Sequence, residues 1–275
     1  STFPSYYGEK VVMRILDTEK GIKTLEDLNM SEPHYQMVKE ALKKPYGIIL
    51  ITGPTGSGKT TTLYGMLNAL DKEGKNIVSL EDPVEYVVDG VNQSQVMPEI
   101  GYTFASGLRS ILRQDPDVIL VGEIRDKETA KLAIQAALTG HLVLSTLHTN
   151  NSAGVIPRLI DMEVDPFLIA PTLVLAMAQR LAKATCEDSK QEVPMDEATR
   201  VMINEQFKDL PDEFKSKLSI GNTMIQTVPS KTCPSGTKGR MAVFEMFPID
   251  KDIEKVILEN PTELNIQKVA REKGM

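Results

Sequence analysis

The 275-residue chain has little of several residue types, and each shortage excludes a class of protein. It contains no tryptophan and only two cysteines, Cys186 and Cys233, neither of which belongs to a C-x-x-C pair. Two isolated cysteines provide neither a disulfide framework nor a four-thiolate zinc site. We therefore expect no zinc and no fold that depends on cross-linked cysteines.

Long apolar runs and an excess of positive charge are also missing. No apolar run approaches the roughly 20 residues of a membrane-spanning helix, and nothing near the N-terminus resembles a signal peptide, which favours a cytoplasmic location. The formal net charge is −7. The broad basic surface typical of nucleic-acid binding is therefore not expected, although a local basic channel in an oligomer would be hidden in that average.

The sequence GPTGSGKTT at residues 53–61 matches a phosphate-binding loop. The apolar run at residues 47–52 precedes it and a helix-compatible segment follows, which is the context that the motif requires. In such a loop Lys59 neutralises the β- and γ-phosphates, and Thr60 offers a hydroxyl to Mg²⁺. The residues predicted to bind nucleotide are Gly53, Pro54, Thr55, Gly56, Ser57, Gly58, Lys59, Thr60 and Thr61.

Apolar, strand-like runs alternate with helical segments through the middle of the chain. Runs of this kind occupy residues 47–52, 76–80, 117–121 and 141–148. Such alternation predicts an α/β fold whose central sheet is mostly parallel and carries helices on both faces. Residues 166–181 read as a further helix. The region beyond them reads as mainly helical, except that residues 239–247 have strand character.

Three side chains with catalytic potential follow predicted strands. In an open α/β sheet, ligands bind beyond the carboxyl ends of the strands, so these residues and the loop are expected at one site. Glu85 is placed to orient or deprotonate an attacking water, with an ion-paired loop acid as its alternative interpretation. Glu123 is placed to bind Mg²⁺, or else to pair with Arg125 or Lys127. His148 could contact the γ-phosphate, or it could be structural.

Four arginines, Arg14, Arg109, Arg113 and Arg125, are more than one phosphate pocket can use. A neighbouring subunit that supplied some of them would stabilise the transition state for phosphoryl transfer, as in other nucleotide hydrolases. The alternative for each is an ordinary surface arginine paired with an acidic neighbour.

With these residues in view, the chain resembles the ATPases of type II secretion and type IV pilus assembly. The segment GPTGSGKTTTLY (53–64) resembles their Walker A motif, EDPVEY (81–86) their Asp box, LRSILRQDPDVILVGEIRD (108–126) their Walker B region and GHLVLSTLHTN (140–150) their His box. The likeness covers about residues 3–181 and returns near residues 236–275. The segment GEKVVMRIL (8–16) resembles the last strand of the domain that precedes the ATPase core in this family.

The resemblance implies a RecA-like P-loop NTPase domain with a mostly parallel central sheet, followed by a mainly helical C-terminal subdomain. It assigns residues 1–16 to the last strand of a truncated N-terminal domain, 17–30 to a linker, 31–181 to the ATPase core and 182–275 to the C-terminal subdomain, truncated at its end. Relatives in the assembly branch often hold zinc with paired C-x-x-C motifs. Here Cys186 and Cys233 each stand alone, so zinc stays unexpected.

The resemblance also implies function. It predicts an ATPase that uses ATP and Mg²⁺, forms a homohexamer and docks on an inner-membrane platform protein from the cytoplasmic side. It further implies that Arg14, Arg109, Arg113 and Arg125 match family arginines, of which Arg14 is directed at nucleotide across the ring. Two other functions stay open from the sequence, a DNA-translocating hexamer and a nucleotide-binding scaffold without turnover. The net charge disfavours the former, and intact Lys59, Glu85 and Glu123 disfavour the latter.

Overall fold

The computed structural model describes residues 2–13 and 23–275, and its core is a seven-stranded sheet. The strands are β1 (Thr2–Ser5), β2 (Gly8–Val11), β3 (Gly47–Thr52), β4 (Ile77–Glu81), β5 (Asn92–Gln95), β6 (Val118–Val121), β7 (Leu142–Leu147), β8 (Leu173–Thr185), β9 (Lys190–Pro194), β10 (Thr223–Thr227) and β11 (Thr237–Pro248). The helices are α1 (Glu32–Leu42), α2 (Lys59–Ala69), α3 (Phe104–Ile111), α4 (Lys127–Leu138), α5 (Val155–Asp161), α6 (Pro166–Thr172), α7 (Glu197–Gln206), α8 (Asp212–Lys215), α9 (Lys251–Glu259) and α10 (Glu263–Glu272).

The strand order across the central sheet is β11-β8-β3-β7-β6-β4-β5. From β8 to β5 neighbouring strands pair in parallel, which confirms the predicted mostly parallel sheet. On the outer side of β8, β11 closes the sheet as an antiparallel strand. Every residue of β3 and β7 is buried, and such continuous apolar runs are typical of parallel strands covered on both faces.

Alternate residues of each central strand enter two hydrophobic cores, one on each face of the sheet. Ile48 and Leu50 of β3 pack in the core built with α3, α4, α5, α6, α9 and α10. Ile49 and Ile51 pack in the opposite core, with α1 and α2. No helix within residues 2–13 and 23–275 is both long and apolar enough to cross a lipid bilayer.

The N-terminal segment forms an antiparallel hairpin. Of the strand predicted at residues 8–16, residues 8–11 form β2, residues 12 and 13 are not in a strand, and residues 14–16 lie outside the described residues. β1 pairs with β2 along its whole length, from Thr2 opposite Val11 to Ser5 opposite Gly8. No partner strand is predicted for β2 from the sequence, because the short segment at residues 2–5 lacks an apolar alternation. Arg14 and the first part of the predicted linker lie outside the described residues.

The prediction of a helix over residues 166–181 is wrong beyond Thr172. The chain leaves α6 and continues as β8, which lies between β3 and β11 in the sheet. The first residues of β8 are apolar and almost completely buried. When both faces of a segment are buried, periodicity does not separate a strand from a helix, which explains the error.

The expected mainly helical region at residues 182–275 also contains strands. It carries α7, α8, α9 and α10, but β9 and β10 form a separate antiparallel pair, and β11 completes the central sheet. β8 itself crosses the expected boundary at residue 182. The sequence prediction therefore recognised the helices of this region and the strand at residues 239–247, which is β11, but missed β9 and β10.

The two cysteines form a disulfide bond, which corrects the expectation that they are isolated. They are separated by 47 positions, yet their Cα atoms are 6.6 Å apart. The reason is the pairing of β8 with β11, which begins at Thr185 opposite Thr237 and brings both ends of the intervening segment together. The Cys186 amide also donates a hydrogen bond to the Gly236 carbonyl, at 3.0 Å.

We predict that the purified oxidised protein contains no zinc, because the disulfide uses both thiols that could bind it. A disulfide bond that closes a loop of 47 positions raises the free energy of unfolding by about 4 kcal/mol, because it restricts the unfolded chain. Reduction should therefore loosen residues 187–232. Metal analysis, free-thiol titration after denaturation and limited proteolysis with and without reductant check this. The double variant Cys186→Ser/Cys233→Ser should match the reduced protein. One zinc per chain together with two free thiols would contradict the prediction.

Candidate active site

The glycine-rich loop connects β3 to α2 at the carboxyl edge of the sheet. Its first glycine, Gly53, has a φ of 144°, and a Cβ atom there would lie 2.4 Å from the backbone oxygen of Gln179. The same atom would lie 2.9 Å from the Ser57 hydroxyl. Glycine at position 53 is therefore required both by the backbone conformation and by the close passage of β8.

Lys59 is the first residue of α2, and its side chain bends back over the loop. Its ammonium donates hydrogen bonds to the carbonyl oxygens of Gly53, at 2.8 Å, and Pro54, at 3.1 Å. Only 9% of the residue is exposed. Burial lowers the pKa of the Lys59 ammonium, and the nearby Glu123 carboxylate opposes that shift. Because the loop carbonyls and Glu123 favour the charged form, the lysine is suited to bind an anion.

The Ser57 hydroxyl is a second sign of a ligand site. It is buried, and it has no hydrogen-bond partner in the part of the chain that the structure describes. Buried polar groups are normally paired, so an unpaired hydroxyl inside a glycine-rich loop fits a phosphate oxygen as its partner. The loop residues Thr55 to Thr61 all lie on the wall of one open cavity of about 870 Å³.

Glu123 and His148 face the loop from the ends of neighbouring strands. Glu123 lies just after β6 and His148 just after β7, and their Oε2 and Nε2 atoms are 3.4 Å apart. The Arg125 guanidinium contacts the other Glu123 oxygen at 2.6 Å, and this hydrogen bond raises the pKa of Arg125. The ion pair that the alternative interpretation of Glu123 predicts is therefore present, and Glu123 also lies on the cavity wall.

Glu85 lies on the same wall, in the loop that follows β4. A cis peptide bond joins Asp82 to Pro83 in this loop. The structure thus brings together the phosphate-binding loop and the three side chains predicted from strand ends, Glu85, Glu123 and His148. These residues come from four parallel strands of one sheet, as the strand-end rule predicts.

The four candidate arginines separate into three groups. Arg125 lies on the cavity wall, whereas Arg14 is outside the described residues. Arg109 and Arg113 are at the end of α3, outside the cavity of their own chain. Arg109 forms an ion pair with Glu128 of α4, and Arg113 donates a hydrogen bond to the Arg109 carbonyl at 2.9 Å. Within a single chain, Arg109 is therefore a surface arginine paired with an acidic neighbour, as the alternative interpretation predicts.

The donor set fits a magnesium nucleotide. Thr60 and Glu123 line the same cavity, and they supply one hydroxyl and one carboxylate. No cluster of three or more acidic, histidine or cysteine side chains among the described residues could hold a metal alone. Mg²⁺ is usually held by one or two protein oxygens together with substrate phosphates and water, so this sparse set is adequate.

Sequence reasoning missed two residues that shape the cavity. Gln179 of β8 is buried and accepts a hydrogen bond from Thr62 of α2 at 2.8 Å, which ties the helix to the strand. It was missed because residues 166–181 read as a helix that no motif placed near the loop. Tyr64, also on α2, is buried beside Glu81, and its hydroxyl contacts the loop that carries Glu85. Only the depth of that helix in the core could have indicated it.

Comparison with known proteins gives matches over the whole chain. A family model described as Type II/IV secretion system protein matches residues 1–275. The type IV pilus assembly ATPase PilB of Thermus thermophilus is 44% identical over 276 aligned positions, which cover 100% of this chain and 30% of that protein. The type II secretion system protein E of Pseudomonas aeruginosa is 43% identical over 275 positions, 100% of this chain and 53% of that protein. The chain thus spans about half the length of these relatives or less.

Solved structures agree on the fold. The pilus retraction motor PilT with bound ADP superposes with a TM-score of 0.68 and 29% identity, over 98% of this chain and 64% of that chain. The ATPase DotB of Legionella pneumophila gives a TM-score of 0.63 and 26% identity, over 92% of this chain and 58% of that chain.

Proposed function

Because the chain belongs to the type II/IV secretion system protein family, we propose that it is the Mg²⁺-dependent, ATP-hydrolysing part of a motor for type IV pilus assembly or type II secretion. Its RecA-like α/β fold agrees with this family. One observation carries the proposal: Lys59, Glu85, Glu123 and His148 meet in a single cavity at the carboxyl edge of the sheet. That set contains the phosphate-binding cation and the carboxylates that ATP hydrolysis requires.

Each residue has a distinct task in this proposal. The backbone N–H groups of residues 53–61 surround the phosphates, and Lys59 neutralises the charge on the β- and γ-phosphates. Thr60 and Glu123 would hold Mg²⁺, which would withdraw charge from the phosphate oxygens when bound. Glu85 orients the attacking water and accepts its proton. His148, beside Glu123, donates a hydrogen bond towards the γ-phosphate.

A homohexamer is part of the proposal. Arg109 and Arg113 lie outside the cavity of their own chain, so any contact that they make with nucleotide has to be with that of a neighbouring subunit. Arg14 is proposed to act in the same way, while Arg125 acts in its own cavity. In nucleotide hydrolases that use an arginine from a neighbouring subunit, that cation raises the rate of hydrolysis by about 10³- to 10⁵-fold. The proposed partner is an inner-membrane platform protein, contacted from the cytoplasmic side.

We predict that nucleotide binding is independent of protein concentration, whereas the specific activity of hydrolysis rises with concentration as rings form. Activity measured over a wide concentration range checks this. Arg14→Ala protein mixed into wild type should depress activity by more than its own fraction. Arg200→Ala should not, because Arg200 is a half-buried residue of α7 that donates a hydrogen bond to Asn222 and has no role in the proposal. Activity proportional to the wild-type fraction and independent of concentration would show that each subunit works alone.

Two further outcomes favour other functions. Tight ATP binding without Mg²⁺-dependent turnover at any concentration would favour a nucleotide-binding scaffold. Salt-sensitive stimulation of turnover by DNA would favour a DNA-translocating hexamer. The net charge of −7 argues against that function.

A further inference from the structure

A buried carboxylate on the cavity wall has no task in the proposed mechanism. Glu81, the last residue of β4, is 3% exposed. Its Oε1 atom accepts hydrogen bonds from the Ser79 hydroxyl, at 2.6 Å, and from the Gln93 amide, at 3.1 Å. Its Oε2 atom accepts a hydrogen bond from the Tyr64 hydroxyl. Since a buried carboxylate is costly unless its oxygens are paired, these three donors fix where Glu81 and Tyr64 lie.

The Tyr64 oxygen also holds the loop that carries Glu85. It accepts the backbone N–H of Glu85 at 3.3 Å and that of Tyr86 at 3.4 Å. Only 1% of Tyr64 is exposed, and its ring meets the Tyr86 ring edge to face, with centroids 5.7 Å apart. One hydroxyl thus connects the fixed Glu81 carboxylate to the backbone of the proposed catalytic residue.

The chemistry of the phenol suits this connection. Burial, followed by the hydrogen bond to Glu81, raises the pKa of the Tyr64 hydroxyl, so it stays protonated and donates to the carboxylate. Its oxygen lone pairs are then available to the two amide N–H groups. Phenylalanine would keep the ring and its packing but would lose all three hydrogen bonds.

Because Tyr64 lies on α2, this hydrogen-bonded connection joins the loop that carries Glu85 to a regular helix. The same helix begins with Lys59, five residues earlier, and therefore also carries the proposed phosphate-binding cation. By contrast, the segment between β4 and β5 that carries Glu85 has neither helix nor strand through residues 82–91. Side chains hold it instead, since the Gln93 amide also donates to the Tyr86 carbonyl at 2.9 Å.

We propose that Tyr64 is a positioning residue for hydrolysis: its hydroxyl, anchored on Glu81, sets the backbone of Glu85 relative to the helix that binds the phosphates. This inference rests on the proposed ATP hydrolysis and on Glu85 as its base. It assigns Tyr64 no contact with nucleotide. Loss of the hydroxyl should therefore slow turnover and leave nucleotide affinity unchanged.

The test is a double-mutant cycle of Tyr64→Phe with Glu85→Gln, read by kcat, KM and the affinity for a labelled ATP analogue. In the wild-type background we expect Tyr64→Phe to lower kcat roughly tenfold to a hundredfold at unchanged affinity, because small displacements of a catalytic group have effects of this size. In the Glu85→Gln background it should change the residual rate by less than about threefold, because residues that act as a unit are not additive.

Tyr102→Phe is the matched control. It removes a tyrosine hydroxyl that bonds to Ser94 of β5 at 2.8 Å, outside the cavity, and should leave kcat unchanged. Tyr64→Phe could fail to fold because the buried Glu81 carboxylate loses a hydrogen-bond donor. In that case the double variant Tyr64→Phe/Glu81→Gln is compared with Glu81→Gln alone, because neither protein has the buried charge.

The outcomes separate this inference from the proposed function. A wild-type protein that binds ATP but never hydrolyses it overturns the proposed function itself. An active wild type in which Tyr64→Phe leaves kcat unchanged, or lowers it equally with and without Glu85, overturns the positioning role. A loss of nucleotide affinity that accounts for the whole defect does so as well.

Discussion

Lys59→Ala is expected to abolish tight binding of ATP. The ammonium already lies over the loop, held by the carbonyls of Gly53 and Pro54, so it needs little rearrangement to contact phosphate. The variant loses the charge-assisted hydrogen bonds that the ammonium would donate to the phosphates. Two such bonds contribute about 1.5–3 kcal/mol each, so we expect the affinity for ATP to fall by at least roughly 10²-fold. The backbone N–H groups of the loop remain in the variant, so residual weak binding is expected.

Titration with a labelled ATP analogue measures this loss. Lys131→Ala is the control, because Lys131 is a half-exposed lysine of α4 that pairs with Glu163 at 3.1 Å, away from the loop. Thermal unfolding of both variants shows whether the fold is kept. Unchanged affinity in a folded Lys59→Ala protein would remove the loop from the proposed mechanism.

Glu85→Gln is expected to keep ATP and Mg²⁺ binding while losing turnover. The amide has the size of the carboxylate but cannot accept a proton from water, and general-base catalysis contributes roughly 10²- to 10⁴-fold to rate. Glu123→Gln should instead weaken the Mg²⁺ dependence of binding, because an amide is a poorer ligand for a hard cation.

Nucleotide binding over a range of Mg²⁺ concentrations, together with single-turnover hydrolysis, distinguishes the two variants. Glu205→Gln serves as the control, since Glu205 of α7 pairs with Lys208 at the surface, at 2.6 Å. If Glu123→Gln bound normally and failed only in turnover, while Glu85→Gln lost Mg²⁺ dependence, the two assignments would have to be exchanged.

The sequence was sufficient for the parts of the site that depend on local pattern and on parallel topology. The strand before residue 53 and the helix after it follow from a contiguous motif. The meeting of Glu85, Glu123 and His148 follows from a geometric rule, because parallel strands end at the same edge. Neither inference needs knowledge of how distant segments pack.

The parts that failed depend on distant pairing. The strand character of residues 173–185 is decided by β3 and β11, which pair with its two edges in the sheet. The Cys186 bond to Cys233 depends on the same pairing, which closes a long segment that has no apolar pattern of its own. Contacts of this kind leave no local signature in a single sequence.

β8 passes the glycine-rich loop at its middle and reaches the disulfide at its C-terminal end. Its Gln179 lies against Gly53 and holds Thr62, while six residues further along the strand ends at Thr185, next to Cys186. Six extended residues span about 20 Å, and a hydrogen-bonded strand neither stretches nor shortens appreciably. A shift of the loop that displaces Gln179 along the strand axis therefore also displaces the segment that the disulfide between Cys186 and Cys233 closes.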